Sequence, residues 1–296
     1  MSKLDFDLDG KPLGMTRAKS STLPADMTDG RQNGQPALTL ALGEGKTALP
    51  PSQAVIVAAG GGKRLYPMTK DRPKCMLEVG PNPILVHQIR ALRTVGVETI
   101  HVVTGHGESV VRTACDQLGV EGLAFSRNED YRTTNSLFSL GCAAVHSDPG
   151  GLLVLNSDVM FHPYLLRRLL DDSRENVLLA DFASRLCEEE MKIQVNVDNR
   201  ITTISKQIDP LGAQAENLGV LKVGPEAGRR MLELARQPFE QHQLCWIPDS
   251  INALLAELEF FALGTGALPW IEIDYLHDLE RARSEILPAI EALDLK

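Results

Sequence analysis

Three cations follow three consecutive glycines. Lys63 and Arg64 stand directly after Gly60, Gly61 and Gly62, and Lys74 comes after Pro73. The apolar run before them, Ala54 to Ala59, reads as a buried strand. A strand that ends in a glycine loop can bring backbone close to a triphosphate. Side chains would block that approach, and successive N–H groups supply donors. Ala58, Ala59, Gly60, Gly61, Gly62 and Lys63 are therefore candidate nucleotide contacts. Arg64 and Lys74 could offset phosphate charge beyond what amides can. The loop is neither G-x-x-x-x-G-K-[ST] nor G-x-G-x-x-G, since Leu65 stands at the third glycine position of the second pattern.

Two carboxylates lie far downstream at the ends of apolar runs. Asp158 follows Leu152–Leu155, and Asp274 follows Trp270–Ile273. Two strand-end carboxylates could share one Mg²⁺, which takes one or two carboxylates together with phosphate oxygens. Such an ion would stabilise charge in an in-line displacement at phosphorus.

These residues need a scaffold that brings strand ends together. Leu85, Ile89, Leu92 and Val95 recur at helical spacing, and Thr99–Thr104 is a β-branched strand. A helix over Glu108–Leu118, a strand over Gly122–Ser126 and a helix over Ser136–His146 follow. Then come the strand Leu152–Leu155, a helix from Pro163 to Leu170 and the strand Val177–Phe182. This alternation predicts an α/β fold with a mostly parallel sheet and helices on both faces. Ligands of such sheets sit beyond the carboxyl ends of the strands. Within 188–224 the pattern changes to a small β-hairpin insertion, Ile193–Val197 and Ile201–Ser205, followed by the strand Asn217–Val223. A helix over Pro225–Arg236, one over Ser250–Ala262 capped by Asp249, and a terminal helix over Asp278–Ile286 complete the reading.

Composition narrows the functional classes. The net charge of −9 argues against a nucleic-acid-binding face. It permits a nucleotide, which a few local cations can hold. The five cysteines form no C-x-x-C pair, which reads as reduced thiols in a cytoplasmic protein. No apolar run reaches the ~18 residues of a membrane span. Residues 1–52 are rich in Pro, Gly, Ser and Thr and read as a disordered extension ahead of a domain over 53–296. Asp5, Asp7, Asp9 and Gly10 match the start of a calcium loop, but the twelfth position holds Thr16, so no calcium site is expected.

The series A-A-G-G-G-K-R-L-Y-P, the later R-P-K and the strand-end Asp resemble the nucleotidyltransferases that activate sugar phosphates and phospho-alcohols. That resemblance covers roughly residues 53 to 285. It implies a Rossmann-like domain and Mg²⁺-dependent attack of a phosphate-type oxygen on the α-phosphorus of a nucleoside triphosphate, with pyrophosphate leaving. It assigns Arg64 to the β- and γ-phosphates, Lys74 to the α-phosphate or the acceptor, and Asp158 and Asp274 to Mg²⁺. The stretch containing Asn128, Tyr131, Asn135 and Ser136 is similar to phosphocholine-type cytidylyltransferases and to enzymes that cytidylylate 2-aminoethylphosphonate. The partners so implied are CTP and a small phosphorylated or phosphonate acceptor, and a homodimer stays open. Asn135 and Ser136 become candidates for the nucleotide or the acceptor. Lys192 is the candidate for the acceptor's phosphoryl group, with Lys206 behind it. Glu129 and Tyr131 could receive an ammonium group, and Glu216 could also meet the acceptor.

Other readings stay open. One is a sugar-1-phosphate uridylyl- or thymidylyltransferase. Another is a glycosyltransferase, although Asn156-Ser157-Asp158 lacks the D-x-D metal motif. A third is a nucleotide-binding protein without catalysis.

Overall fold

The computed structural model describes residues 50–294 apart from 118, 120–121, 146–149 and 238–243. These residues belong to a compact unit, Lys46–Lys296. The expectations for residues 1–49, the calcium-loop match included, lie outside the described residues. The Ser52 carbonyl already accepts hydrogen bonds from the Glu98 and Thr99 amides.

The strands are β1 (Gln53–Ala58), β2 (Glu78–Val79), β3 (Asn82–Pro83), β4 (Thr99–Thr104), β5 (Leu123–Arg127), β6 (Leu152–Asn156) and β7 (Val159–Phe161). They continue as β8 (Val177–Asp181), β9 (Lys192–Val195), β10 (Ile201–Ser205), β11 (Ala215–Val223), β12 (Phe261–Gly264) and β13 (Trp270–Glu272). The helices are α1 (Ile84–Thr94), α2 (Glu108–Gln117), α3 (Ser136–Cys142), α4 (Tyr164–Asp171), α5 (Pro225–Ala235), α6 (Ile247–Leu254), α7 (Leu276–Arg281) and α8 (Leu287–Asp294).

Nine strands form the central sheet, with the path β10-β9-β11-β6-β1-β4-β5 and β8 and β12 joined through β11. β1 lies parallel to β4 and β6, and β4 lies parallel to β5. β11 runs antiparallel to β6, β8 and β9. The period-2 geometry of β1 divides its side chains between two cores. Val55 and Val57 pack with α3, α5 and α6, including Leu140, Met231 and Ile251. Ala54, Ile56 and Ala58 pack with α1, α2 and α4, including Leu85, Val111 and Leu165. Both faces of the sheet are covered, as the near-continuous apolar strands require.

The sequence reading departs from the structure at several elements. The helix expected over Ser250–Ala262 with Asp249 as its cap is α6, Ile247–Leu254, so Asp249 lies in its first turn and accepts from the Trp246 amide. Beyond it, Phe260 and Ala262 are buried while Phe261 and Leu263 are partly exposed, a strand alternation. β12 pairs with β8 there, so sheet pairing prevails over helical spacing. The helix expected to His146 ends at Cys142, and His146 lies outside the described residues. The strand expected at Trp270–Ile273 is β13, but β7 and its pairing with β13 were not expected, and that pair matters most for the site.

Candidate active site

β1 ends at Ala58, and the chain turns through Ala59 to Gly62 at the carboxyl edge of the sheet. Ala59 gives its carbonyl to the His106 amide, which ties the loop to the end of β4. Gly60 is exposed with nothing within 4 Å of a notional side chain, so ligand backbone contact is open there. Gly62 has φ +62, a conformation that costs other residues strain. A Cβ there would stand 3.0 Å from Lys74 Cβ. The absence of a side chain thus lets the two loop segments touch. Thr69 Oγ1 donates to the Gly62 carbonyl at 2.8 Å and fixes that approach.

The carboxylates arrive through β7 and β13. These strands pair antiparallel with Glu272 opposite Val159, and the Ile273 amide donates to the Asp158 carbonyl at 3.0 Å. A third apolar cluster fixes the pair against the loop. Leu65, Leu77 and Ile84 pack with Met160, Ile271, Ile273, Leu279 and Leu287.

The cations and carboxylates meet at this point. Lys74 Nζ lies 2.8 Å from Asp158 Oδ2 and 2.5 Å from Asp274 Oδ1. Arg64 Nη2 lies 2.5 Å from Asp274 Oδ2. Burial alone would lower the pKa of the Lys74 ammonium, but Asp158 and Asp274 outweigh it and hold the pKa above the usual lysine range. Burial would raise Asp274, but Lys74 and Arg64 prevail and hold its carboxyl below the usual carboxylate range. Lys206, partly buried on the loop after β10, adds to that depression, so its charge also reaches the site.

Glu272 was missed in the sequence. Its ligand atom and those of Asp158 and Asp274 all lie within 4.8 Å of one another. The signal was the spacing Glu272-Ile273-Asp274, which puts both acids on one face of an extended segment. Burial, then repulsion from Asp158 and Asp274, pushes the Glu272 carboxyl up. Asp158 Oδ1 is buried with no hydrogen-bond partner. Three hard oxygen donors, one carrying an orphaned buried oxygen, fit a divalent cation such as Mg²⁺.

Other candidates lie elsewhere or are otherwise engaged. Lys192 does not reach out to an acceptor. It is wholly buried, and Nζ donates to the carbonyls of Cys187, Glu188 and Glu190 at 3.0–3.1 Å. All of its ammonium donors are thereby used. Asn135 Nδ2 donates to the Leu244 carbonyl at 2.6 Å, and Ser136 Oγ accepts from the Ile247 amide. Both residues thereby join α3 to the start of α6. Glu129 is exposed and pairs with Arg127. Tyr131 packs on Gly105 and His106, on the glycine-loop flank. Beside it a cleft of about 410 Å³ opens, lined by residues that include Gly105, Gly107, Arg112 and Arg127. Glu216 on β11 stands opposite Asp181 and Lys192. Burial, with Glu190 and Asp181 nearby, pushes its carboxyl up to about 7, although a hydrogen bond with Ser184 opposes that rise.

A model of the MobA-like NTP transferase domain matches residues 54–258. The chain belongs to this family. A CTP:phosphoglutamine cytidylyltransferase of Campylobacter jejuni is 30% identical over 43% of this chain and 52% of its own length. A CMP-5'-(3-aminopropyl)phosphonate synthase of Streptomyces rubellomurinus is 36% identical over 40% of this chain and 19% of its own. The chain thus spans about half or less of these curated relatives. Mannose-1-phosphate guanylyltransferases also match. Among solved structures, the inositol-1-phosphate CTP transferase from T. maritima superposes with a TM-score of 0.69, at 21% identity, over 82% of this chain and 96% of that one. It has the same fold as this NTP transferase domain. Among the described residues, no helix is long and apolar enough to cross a membrane.

Proposed function

We propose that the protein is a cytidylyltransferase that transfers CMP from CTP to a small phosphocholine-like phosphomonoester or an alkylphosphonate such as 2-aminoethylphosphonate. One observation carries the reaction type. Lys74 and Arg64, delivered by a glycine loop, meet Asp158 and Asp274 at the carboxyl edge of an NTP transferase sheet. Cations for a polyphosphate and carboxylates for a divalent ion therefore share one place. The choice of CTP and acceptor rests on the likeness to cytidylyl-transferring relatives.

Asp158, Asp274 and Glu272 would hold Mg²⁺, which supplies charge neutralisation at the α-phosphate when bound. An anionic oxygen of the acceptor attacks the α-phosphorus. The new P–O bond forms as the bond to the bridging oxygen breaks, and pyrophosphate departs with that electron pair. No general base is needed, because the acceptor oxygen is already an anion. Arg64 holds the leaving pyrophosphate with its guanidinium fork. Lys74 steadies the α-phosphate, and Lys206 receives the acceptor's phosphoryl group. The glycine-loop amides hold the phosphate chain, and the nucleoside extends toward the cleft beside Tyr131, whose ring offers a stacking face. The enzyme's contribution is alignment and preorganised charge.

An acceptor screen tests this. Pyrophosphate release is measured with CTP, UTP, dTTP and GTP against phosphocholine, 2-aminoethylphosphonate and sugar 1-phosphates. Turnover only with sugar 1-phosphates and a nucleotide other than CTP overturns the acceptor and the base together. That result would support the second reading, a sugar-phosphate nucleotidyltransferase, which the mannose-1-phosphate relatives favour.

A further inference from the structure

Arg64 has two further partners outside the carboxylate cluster. Its Nη1 donates to Glu189 Oε2 at 3.0 Å and to Tyr275 Oη at 3.2 Å. Tyr275 Oη in turn donates to the same Glu189 oxygen at 3.2 Å. Glu189 belongs to the segment ahead of β9, and nothing in the reaction described above uses it.

The segment is built to present this residue. The buried Lys192 ammonium gathers the carbonyls on either side, those of Cys187, Glu188 and Glu190. Glu190 Oε2 closes the turn by accepting from the Cys187 amide at 2.7 Å. Glu189 sits at the apex, with its carboxylate turned toward the guanidinium. The lysine expected to bind an acceptor instead anchors a turn whose tip neutralises Arg64.

We propose that the 187–190 turn is a latch on Arg64, with Glu189 holding the guanidinium until a polyphosphate replaces it. The inference rests on the reading of Arg64 as the triphosphate contact. A polyphosphate carries more negative charge than one carboxylate and offers the bidentate oxygens that guanidinium prefers. The same anion repels Glu189 at this distance. Glu189 and a polyphosphate therefore compete for the Nη1 edge of Arg64, whose Nη2 is paired with Asp274. By linkage, whatever weakens the latch strengthens polyphosphate binding. Glu189 is a positioning residue in this scheme, because it acts through Arg64 and touches neither reactant.

Inorganic tripolyphosphate is the probe, since it tests the phosphate contact without a base or an acceptor. Its affinity is measured by calorimetry on the full chain for wild type, Glu189→Gln, Glu188→Gln and Arg64→Met. Glu189→Gln is expected to bind about three- to fivefold tighter, the range of an exposed ion pair. The gain should shrink as salt rises. Glu188→Gln changes net charge equally and should match wild type, since only the Glu188 carbonyl takes part. Equal affinity of Glu189→Gln and Glu188→Gln, with Arg64→Met weakened, overturns the latch alone. Undiminished binding by Arg64→Met overturns the triphosphate assignment of Arg64 and the latch with it.

Discussion

The Lys74 ammonium stands 2.8 Å from the Asp158 carboxylate, so one half of the glycine-loop motif is clamped to the turn between β6 and β7. Two negative residues, Asp158 and Asp274, are kept side by side by the cation between them. Lys74→Met should therefore remove a phosphate contact and leave two close carboxylates uncompensated. A drop in kcat of about 10²-fold or more is expected in a pyrophosphate-release assay. A variant within tenfold of wild type would remove Lys74 from the reaction.

Asp158→Asn and Asp274→Asn should weaken divalent-ion binding, each about 10- to 100-fold. Mn²⁺ titration followed by electron paramagnetic resonance reads this without turnover. Glu272→Gln should weaken it as well, since its carboxylate belongs to the same cluster. Unchanged Mn²⁺ affinity in all three would place the ion elsewhere.

Lys192 and Lys206 should separate cleanly. Lys192→Met removes three hydrogen bonds from a buried charged donor to half-buried carbonyls, each worth about 1.5–3 kcal/mol. Its melting temperature should fall by many degrees. Lys206→Met should melt near wild type yet show a raised KM for the acceptor. Differential scanning calorimetry beside steady-state kinetics checks both, and a stable Lys192→Met would contradict its anchoring role.

Glu216 and Asp274 bias stability with pH in opposite directions. Asp274 has its carboxyl depressed on folding, so its stabilisation is present above the unfolded value near pH 4 and is lost as pH falls through the folded one. The Glu216 carboxyl is raised to about 7 on folding, so the folded state holds a proton that the unfolded chain releases. Stability from that group falls as pH rises from about 4.3 toward 7 and levels off above. Melting temperature against pH should show this decline, and Glu216→Gln should flatten it. An unaltered slope in that variant would show that Glu216 titrates normally.

Gly62→Ala places a Cβ at φ +62 and 3.0 Å from Lys74 Cβ. A loss of about 1 kcal/mol of stability is expected from the backbone alone. The rate should fall further, since Lys74 has to move. Gly60→Ala meets nothing in the free protein and should leave stability unchanged.

The sheet was legible because each buried strand is a short apolar run bounded by glycine or a polar turn. Arg64, Asp158 and Asp274 stood out for a related reason. Each lies just past such a run, and the ends of strands converge, whereas Lys74 stood out as a further cation downstream of the same glycine loop. Glu272 escaped because it lies inside a run that reads as core, and only the two-residue spacing to Asp274 marks its side. Lys192 misled because a cation on a hairpin looks solvated. Nothing in its neighbours announces three carbonyls folding back on it. Trp270–Ile273 was legible as a strand, but β7 is three residues long, too short for an alternation to declare itself, and its partner lies far along the chain.

The distribution of the site along the chain has one more consequence. Every strand of the nine-stranded sheet comes before Pro269, whereas Glu272, Asp274 and Tyr275 come after it. A polypeptide cut at that proline would retain the full sheet and its glycine loop. It would keep Asp158 and Glu189 but lack Asp274, the acid that Arg64 and Lys74 share, and Glu272 beside it. The last stretch of sequence is thus where most of the acid cluster is encoded, and its buried side chains, Ile271, Ile273, Leu279 and Leu287, tie it to Leu65 beside the glycine loop.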